Sequence, residues 1–201
     1  MAIIDDFLEI LNEDDSQLDY FINYSLDNSL PFIWHPLGFI VCKIASNNDQ
    51  NLRLHIWPKN GGKEQEPCWL IHNHIFSFQS WVLNGKVENI EYRLDYNNSE
   101  YCIYEASYSK NRSLLSKTNI EVSIHETQRY IVQRGDKYNI SASVFHESKS
   151  VGNDIAVTVL HTIDSSKNNP RVIGDITGKE NYRYERQQLT KEEIRYEIYK
   201  I

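Results

Sequence analysis

The chain has 201 residues, and its 28 acidic and 21 basic side chains give a formal net charge of −7. This balance lacks the positive charge that attracts nucleic acid or an anionic membrane surface, so neither is an expected partner. Apolar residues make up 40% of the chain, which suffices for a core and excludes disorder throughout. No apolar run approaches the roughly 20 residues of a membrane-spanning helix, and the first residues lack the pattern of a secretory signal. We therefore expect a cytoplasmic protein.

Residues 1–36 have the pattern of a helical segment. Between Ile3 and Ile22, apolar side chains recur mostly three or four positions apart, with acidic residues between them. This spacing predicts helix, with an interruption around Glu13 to Gln17. Pro31 and Pro36 then mark the end of the segment.

Residues 37–163 show short β-branched and aromatic runs separated by polar turns. Because no ten-residue helix separates these runs, they predict an antiparallel sheet that forms a sandwich or barrel. The sharpest turn signals are Asn84-Gly85 and Arg134-Gly135-Asp136, since glycine tolerates positive φ. The ten predicted strands are Gly38–Ala45, Leu52–Trp57, Trp69–His74, Ser77–Leu83, Lys86–Asp95, Tyr101–Ser107, Ile120–His125, Arg129–Gln133, Tyr138–Ser141 and Asp154–Thr162.

Residues 164–201 read as a polar connector followed by a short helix. The stretch from Ser165 to Arg183 has little pattern and is predicted to lie on the surface. Thr190 and Glu193 then form a capping box ahead of Ile194 and Ile198, which predicts a helix start. The expected organisation is one all-β domain over 37–163 with a helical element at each end.

One pair among the seven histidines stands out, His72-Asn73-His74. On a strand, residues two apart project to the same face, so both imidazoles could bind one ion. The pair alone is a weak signal and needs a second stretch in support. About fifty residues later, the run from Gly135 to His146 supplies one.

Together these two stretches resemble the paired motifs of the cupin superfamily, an H-x-H followed by a glutamate and a glycine, and a later G-x5-P-x-G-x2-H. The spacing from Gly135 to His146 matches the second motif, with Ser141 and Ser143 in place of its proline and glycine. In the first motif Gln79, or Phe78 by the shorter spacing, stands at the position of the glutamate ligand. The resemblance implies a cupin-type antiparallel β-barrel of the jelly-roll kind with about ten strands.

The resemblance further implies a metal site made of His72, His74 and His146 without a carboxylate. Three neutral ligands leave a divalent ion its full charge and open positions for substrate, water or O₂. Fe(II) is the favoured ion, and Zn, Ni or Mn is also compatible with nitrogen ligands. Gln79 is either a weak carbonyl ligand or a polar interior side chain beside the site.

A narrower resemblance is to the thiol dioxygenases typified by cysteine dioxygenase, whose three-histidine ferrous centre binds a thiol and O₂. The residues from Ile71 to Gln79, followed by Gly85, look like the first motif of that family. His161 falls where the family keeps a further histidine near the site, so Gln79 and His161 are the candidate catalytic residues. Gln79 replaces the cysteine that many members carry, and Val159 and Ile163 replace a serine and a tyrosine.

Substrate-binding candidates lie on the predicted strand from Leu52 to Trp57. Its aliphatic side chains share one face, and Arg53, His55 and Trp57 share the other. If that second face lines the interior, Arg53 could bind a substrate carboxylate and Trp57 could wall the site. An exposed outer face is favoured, because polar side chains on a half-buried strand usually face water. His35 and His125 are predicted to be turn or surface residues.

Three functions remain open. The first is a non-haem Fe(II) dioxygenase that acts on a small metabolite carrying a thiol or a carboxylate. The second is a Zn- or Mn-dependent isomerase or lyase of a small acid or sugar, and the third is a non-catalytic ligand-binding cupin. A homodimer is expected, because the terminal helices could cover or exchange onto a neighbouring chain.

Overall fold

The computed structural model describes residues 4–13, 17–47, 49–59, 61–109, 111–164 and 168–199. The chain is mostly β, with two antiparallel sheets and three short helices, and no helix in the described ranges is long and apolar enough to cross a membrane. The elements in chain order are α1 Ile4–Glu13, α2 Gln17–Asp27, β1 Phe32–Trp34, β2 Ile40–Ser46, β3 Gln50–Trp57, β4 Phe76–Asn84, β5 Lys86–Asp95, β6 Tyr101–Ser109, β7 Arg112–Gln133, β8 Lys137–Ile140, β9 Phe145–Ser150, β10 Ala156–Asp164, β11 Arg171–Asp175, β12 Asn181–Glu185 and α3 Lys191–Ile198.

Two sheets of different strand order make up the fold. The first sheet has the order β1-β2-β3-β10-β4-β8, and the second has the order β11-β6-β7-β5-β9. Strand β7 is long enough to pair with β6 along its first half and with β5 along its second half, while β12 pairs with its start. The ladders of the described strands do not close into one continuous barrel, so the fold is an antiparallel sandwich.

The two faces of the first sheet bury different sets of side chains, because successive residues of a strand point to opposite faces. Leu52, Leu54 and Ile56 of β3 pack in one cluster with helix residues that include Phe7 of α1 and Phe21 of α2. We call this side the helix-covered face. The other side is the interior face, and we call the space between the sheets the interior.

The interior carries a second cluster to which both sheets contribute. Trp57, Phe78 and Leu160 of the first sheet pack with Val87 of β5 and Val132 of β7. Burial of apolar area on each side of the first sheet therefore fixes its register, since a one-residue slip would exchange the two sets of side chains.

The predicted fold class and the helices at both ends are confirmed. Helices α1 and α2 flank the predicted interruption, and residues 14–16 within it lie outside the described ranges. The capping box at α3 forms as predicted, with the Glu193 N–H donating to Thr190 Oγ1 at 3.2 Å and the Thr190 N–H donating to Glu193 Oε2 at 2.8 Å. The predicted strand at Lys86–Asp95 matches β5.

Three predictions about the strands are wrong. The predicted connector at 165–183 contains β11, and β12 begins within it, so the second sheet extends past residue 163. The two strands predicted within 120–133 are one strand, β7, with an irregularity near residue 127. Residues 69–74 form no regular strand and contribute only isolated bridges at His72.

Candidate metal centre

The segment that carries His72 and His74 lies between two strands of the second sheet. His72 exchanges backbone hydrogen bonds with His146 of β9, at 3.0 and 2.8 Å. On its other side the segment pairs with β11, where the Ile173 N–H donates to Ile71 O at 2.8 Å. Backbone pairing on both sides therefore places His72 directly beside His146, although 73 positions of the sequence separate them.

Asn73 ties this segment to β11 a second time. Its backbone N–H donates to Arg171 O at 2.9 Å, and its side-chain Oδ1 accepts from the Arg171 N–H at 2.7 Å. The residue is 8% exposed, so these bonds replace water contacts that the buried amide has lost. Asn73 thus holds the backbone between the two histidines, a role that the sequence pattern does not indicate.

The structure brings His72, His74 and His146 together. The ring centroids are 4.8 Å apart for His72 and His74, 4.8 Å for His72 and His146, and 5.1 Å for His74 and His146. One ring nitrogen from each histidine lies within 4.8 Å of the other two. No further histidine, cysteine or acidic side chain of the described ranges joins this group.

Hydrogen bonds to the backbone orient two of the three rings. The Nδ1 atom of His72 lies 2.7 Å from Leu70 O, and the Nδ1 atom of His146 lies 3.1 Å from Val144 O. Because a carbonyl oxygen only accepts, each Nδ1 carries the hydrogen and each Nε2 keeps its lone pair. A backbone bond of this kind is a common way to fix the tautomer of a metal-binding imidazole.

Burial keeps these imidazoles neutral. It lowers the pKa of His146 to about 3, with the neighbouring His72 as a second cause. Burial also lowers the pKa of His72, against the opposing effect of the Leu70 carbonyl, and it holds the pKa of His74 well below its usual value. Neutral imidazole is the form that binds a metal, so the group is ready to accept a cation at neutral pH.

The donor set therefore fits a divalent transition metal. Three converging imidazoles suit Fe, Zn, Ni or Mn and leave positions for other ligands. The place of a carboxylate is taken by Phe78, whose ring lies 5.6 Å from that of His74 and 6.0 Å from that of His146. Phe78, which the shorter motif spacing assigns to the glutamate position, is thus the residue that faces the three histidines.

Ser143 adopts the backbone conformation that the motif glycine would favour. Its φ is +68°, in the left-handed region that side chains rarely occupy. From this conformation its N–H donates to His74 O at 2.9 Å. The loop before β9 therefore connects the strand of His146 to the backbone of His74.

Arg53, His55 and Trp57 lie on the interior face, so the favoured expectation of an exposed face is wrong. The Arg53 guanidinium lies 5.1 Å from the ring centroid of Phe76, and the Phe76 ring stacks on that of His74 at 4.7 Å. Burial lowers the pKa of His55 to about 3, with Arg53 and His72 as further causes. These side chains were difficult to place from sequence because both faces of the first sheet are covered.

Gln79 and His161 lie on the helix-covered face instead. They are paired with each other across β4 and β10, and His161 is paired with Leu52 on β3. The His161 Nε2 lies 3.3 Å from Gln50 Oε1. Strand alternation explains the correction, because Phe78 points toward the histidines and its neighbour Gln79 must point away. Their placement does not support the predicted catalytic roles.

Two interior residues have no signal in the sequence. His35, which was expected at the surface, stacks on Phe39 at 4.4 Å and 16°, and burial holds its pKa well below the usual value. Arg186 comes from the predicted connection between sheet and last helix, and its charge is the second cause of the His35 shift. Arg186 is placed by backbone contacts of residues 186–188 with Asn111, just before β7, and with β1, and no local pattern predicts these contacts.

The polar side chains of this interior are half-buried rather than fully buried. His35, Arg53, His55, His72 and His74 keep part of their accessible surface, whereas the apolar side chains around them, such as Phe78 at 5%, are buried. Fold and side chains together define an antiparallel β-sandwich whose interior holds three histidines that could bind a metal ion.

Comparisons with known proteins add no family and no activity to this description of the fold and the site. No protein-family model matches the chain, and no curated protein matches it. Among solved structures, a crystal structure of hydroquinone 1,2-dioxygenase from Sphingomonas sp. TTNP3 with 4-hydroxybenzoate bound is similar over 62% of this chain at 10% identity and a TM-score of 0.37. The match spans 65% of that chain, less than two thirds of its length. A likeness this weak carries neither fold nor activity over to this protein.

Proposed function

We propose that this protein is a mononuclear metal enzyme, with Fe(II) as the favoured ion, that oxygenates a small anionic metabolite. The observation that carries the proposal is the convergence of His72, His74 and His146, with one ring nitrogen of each within 4.8 Å of the others. The absence of a carboxylate from this group, within the described residues, agrees with the three-histidine dioxygenases that the motifs resemble.

The metal would be held by the three imidazoles. When bound, Fe(II) supplies a positive centre with open positions and the redox chemistry that O₂ requires. The Nδ1 bonds of His72 and His146 to backbone carbonyls keep the rings in the ligand tautomer, so the chain needs no rearrangement of these hydrogens to take up the ion.

The interior face would bind and orient the substrate. Arg53 contacts the Phe76 ring, which in turn contacts the His74 ring, so the guanidinium is one aromatic ring away from a ligand. A carboxylate on Arg53 would place the other end of a small molecule toward the histidines. His55 and Trp57, with ring centroids 5.8 Å apart, wall the same region.

Elemental analysis of protein purified without a histidine tag tests the metal. We expect about one equivalent of a divalent transition metal per chain, and its loss in His146→Ala, with circular dichroism to check that the variant is folded. If the wild-type protein after incubation with Fe(II), Zn, Ni and Mn binds none of them, the proposal is wrong.

Oxygen dependence separates the first function from the second. The Fe-loaded protein is expected to consume O₂ with at least one member of a panel of small thiols and carboxylates, and to do nothing under argon. Turnover under argon would favour the Zn- or Mn-dependent isomerase or lyase, because the donor set also suits those ions. Ligand binding without turnover in both atmospheres would favour a binding protein.

A further inference from the structure

The segment after β12 connects the two sheets at one end of the interior. The Arg186 N–H donates to Asn111 O at 2.9 Å, beside the start of β7 in the second sheet. The next residue, Gln187, accepts from the Trp34 N–H at 2.9 Å in β1 of the first sheet. Arg186 is thereby fixed next to His35, the residue that follows Trp34.

The side chain of Arg186 is held in a definite position at this end. Its Nε donates to Ser113 Oγ at 3.0 Å, and its guanidinium lies 5.0 Å from the ring centroid of Tyr108. Burial lowers the pKa of Arg186, and Tyr108 opposes this effect. A partly buried guanidinium is thus presented at the boundary between the sheets.

Arg53 acts on the same groups from the first sheet. Burial is the main cause of the lowered pKa of His35, and the charges of Arg186 and Arg53 lower it further. His35, beside Arg186, stacks on Phe39 at 4.4 Å, and the Phe39 ring lies 5.0 Å from that of His55, which shares the interior face of β3 with Arg53. This series of ring contacts runs from the residue beside Arg186 to the face that carries Arg53, so two guanidinium groups from distant parts of the sequence border one region of the interior, in a chain whose net charge is −7.

We propose that Arg53 and Arg186 bind two anionic groups of one small ligand, which makes the substrate class a short-chain dicarboxylate. The inference rests on the proposed function, because it places the substrate in the interior shared with His72 and His74. Each guanidinium can form a bidentate pair with a carboxylate. Two positive groups that face the same partly desolvated space are stabilised together by a dianion better than by a monoanion.

Calorimetry with matched acids tests this class of ligand. Malonate, succinate and glutarate are titrated into protein that has been incubated with Fe(II) and freed of unbound metal, and propionate, butyrate and valerate serve as monocarboxylates of equal carbon number. At least one dicarboxylate is expected to bind about tenfold more tightly than its partner, since a charge-assisted pair contributes that much. Equal affinities within all three pairs would overturn the proposal.

Variants then assign the second carboxylate to Arg186. Arg186→Gln is expected to lower dicarboxylate affinity about tenfold and to leave monocarboxylate affinity within about twofold. Arg186→Lys keeps the charge and should retain most of the preference. Arg183→Gln, on an exposed position of β12, is the matched control and should change nothing. A dicarboxylate preference that survives in Arg186→Gln would overturn the assignment.

Metal content of the same samples distinguishes the two proposals. If the wild-type protein binds metal but does not discriminate between the acids, the dicarboxylate inference fails and the metal enzyme stands. If it prefers dicarboxylates but takes up no metal, the anion site stands and the proposed function fails. Arg186→Gln is expected to keep the full metal content, because the residue is not one of the three histidines.

Discussion

The first sheet has two covered faces that differ in chemistry. The helix-covered face buries aliphatic side chains such as Leu54 and Val159 against α1 and α2. The interior face carries the half-buried Arg53 and His55 among aromatic rings. Neighbouring residues of one strand thus serve stability on one side and ligand binding on the other. The role of a residue in this sheet therefore depends on the face to which its side chain points as much as on its type.

The largest effect is expected when one of the three metal-binding histidines is removed. His74→Ala should weaken metal binding by more than about 100-fold, since even indirect partners of ligands contribute tenfold or more. Gln79 lies on the helix-covered face of β4, so Gln79→Ala should leave metal affinity within about twofold. Competition with a chelating dye measures both. Equal losses in the two variants would contradict the assignment of faces.

The adjacent pair Leu54 and Arg53 compares the faces at one point of β3. Leu54 is fully buried, so Leu54→Ala should lower the free energy of unfolding by about 2–5 kcal/mol. Arg53→Gln should change that free energy by less than about 1 kcal/mol and should lower carboxylate affinity about tenfold. Urea titration and calorimetry check the two effects. The reverse distribution would show that Arg53 is structural.

The cap of α3 extends the comparison to the helices. Thr190→Ala removes the acceptor for the Glu193 N–H and should cost about 1 kcal/mol of stability. Because Ile194 of α3 packs on the helix-covered face, metal affinity should not change. A thermal melt of the metal-free protein and a chelator competition measure the two quantities. Weakened metal binding would indicate coupling between the faces.

The smallest effect is expected at Ser143. Ser143→Gly relieves a left-handed backbone that costs about 1–2 kcal/mol, and it adds about 0.5–1 kcal/mol of chain entropy to the unfolded state. The net result should be a stability gain of about 0.5 kcal/mol with the bond to His74 O retained. Ser143→Val should instead destabilise the protein. Chemical denaturation of both variants gives the sign.

Much of the fold follows from local patterns. The capping box of Thr190 and Glu193 and the β-branched and aromatic run from Lys86 to Asp95 are local signals, and both predict the observed elements. Strands β11 and β12 escaped prediction because they are short, five-residue runs with polar residues, held by pairing with distant β6 and β7. Nonlocal pairing of this kind leaves little trace in nearby sequence.

The site is also predictable only where local patterns indicate its residues. Motif spacing selected His72, His74 and His146, which the structure brings together. It could not choose between Phe78 and Gln79, because a shift of one residue reverses the direction of a strand side chain. Arg186 lies outside every motif, and it is placed by its own bonds to Asn111 and Ser113 and by the bond between Gln187 and Trp34. The homodimer stays a prediction, which a measurement of mass in solution tests.

The double pairing of residues 71–73 bears on when this site can form during synthesis. The segment leaves the ribosome early, but its backbone partners are at residues 146 and 171–173. A nascent chain that has passed His146 but is shorter than about 175 residues therefore has all three imidazoles without the strand that pairs with the segment of His72 and His74. Since such distant contacts form late, cofactor capture would complete the folding of this chain rather than start it.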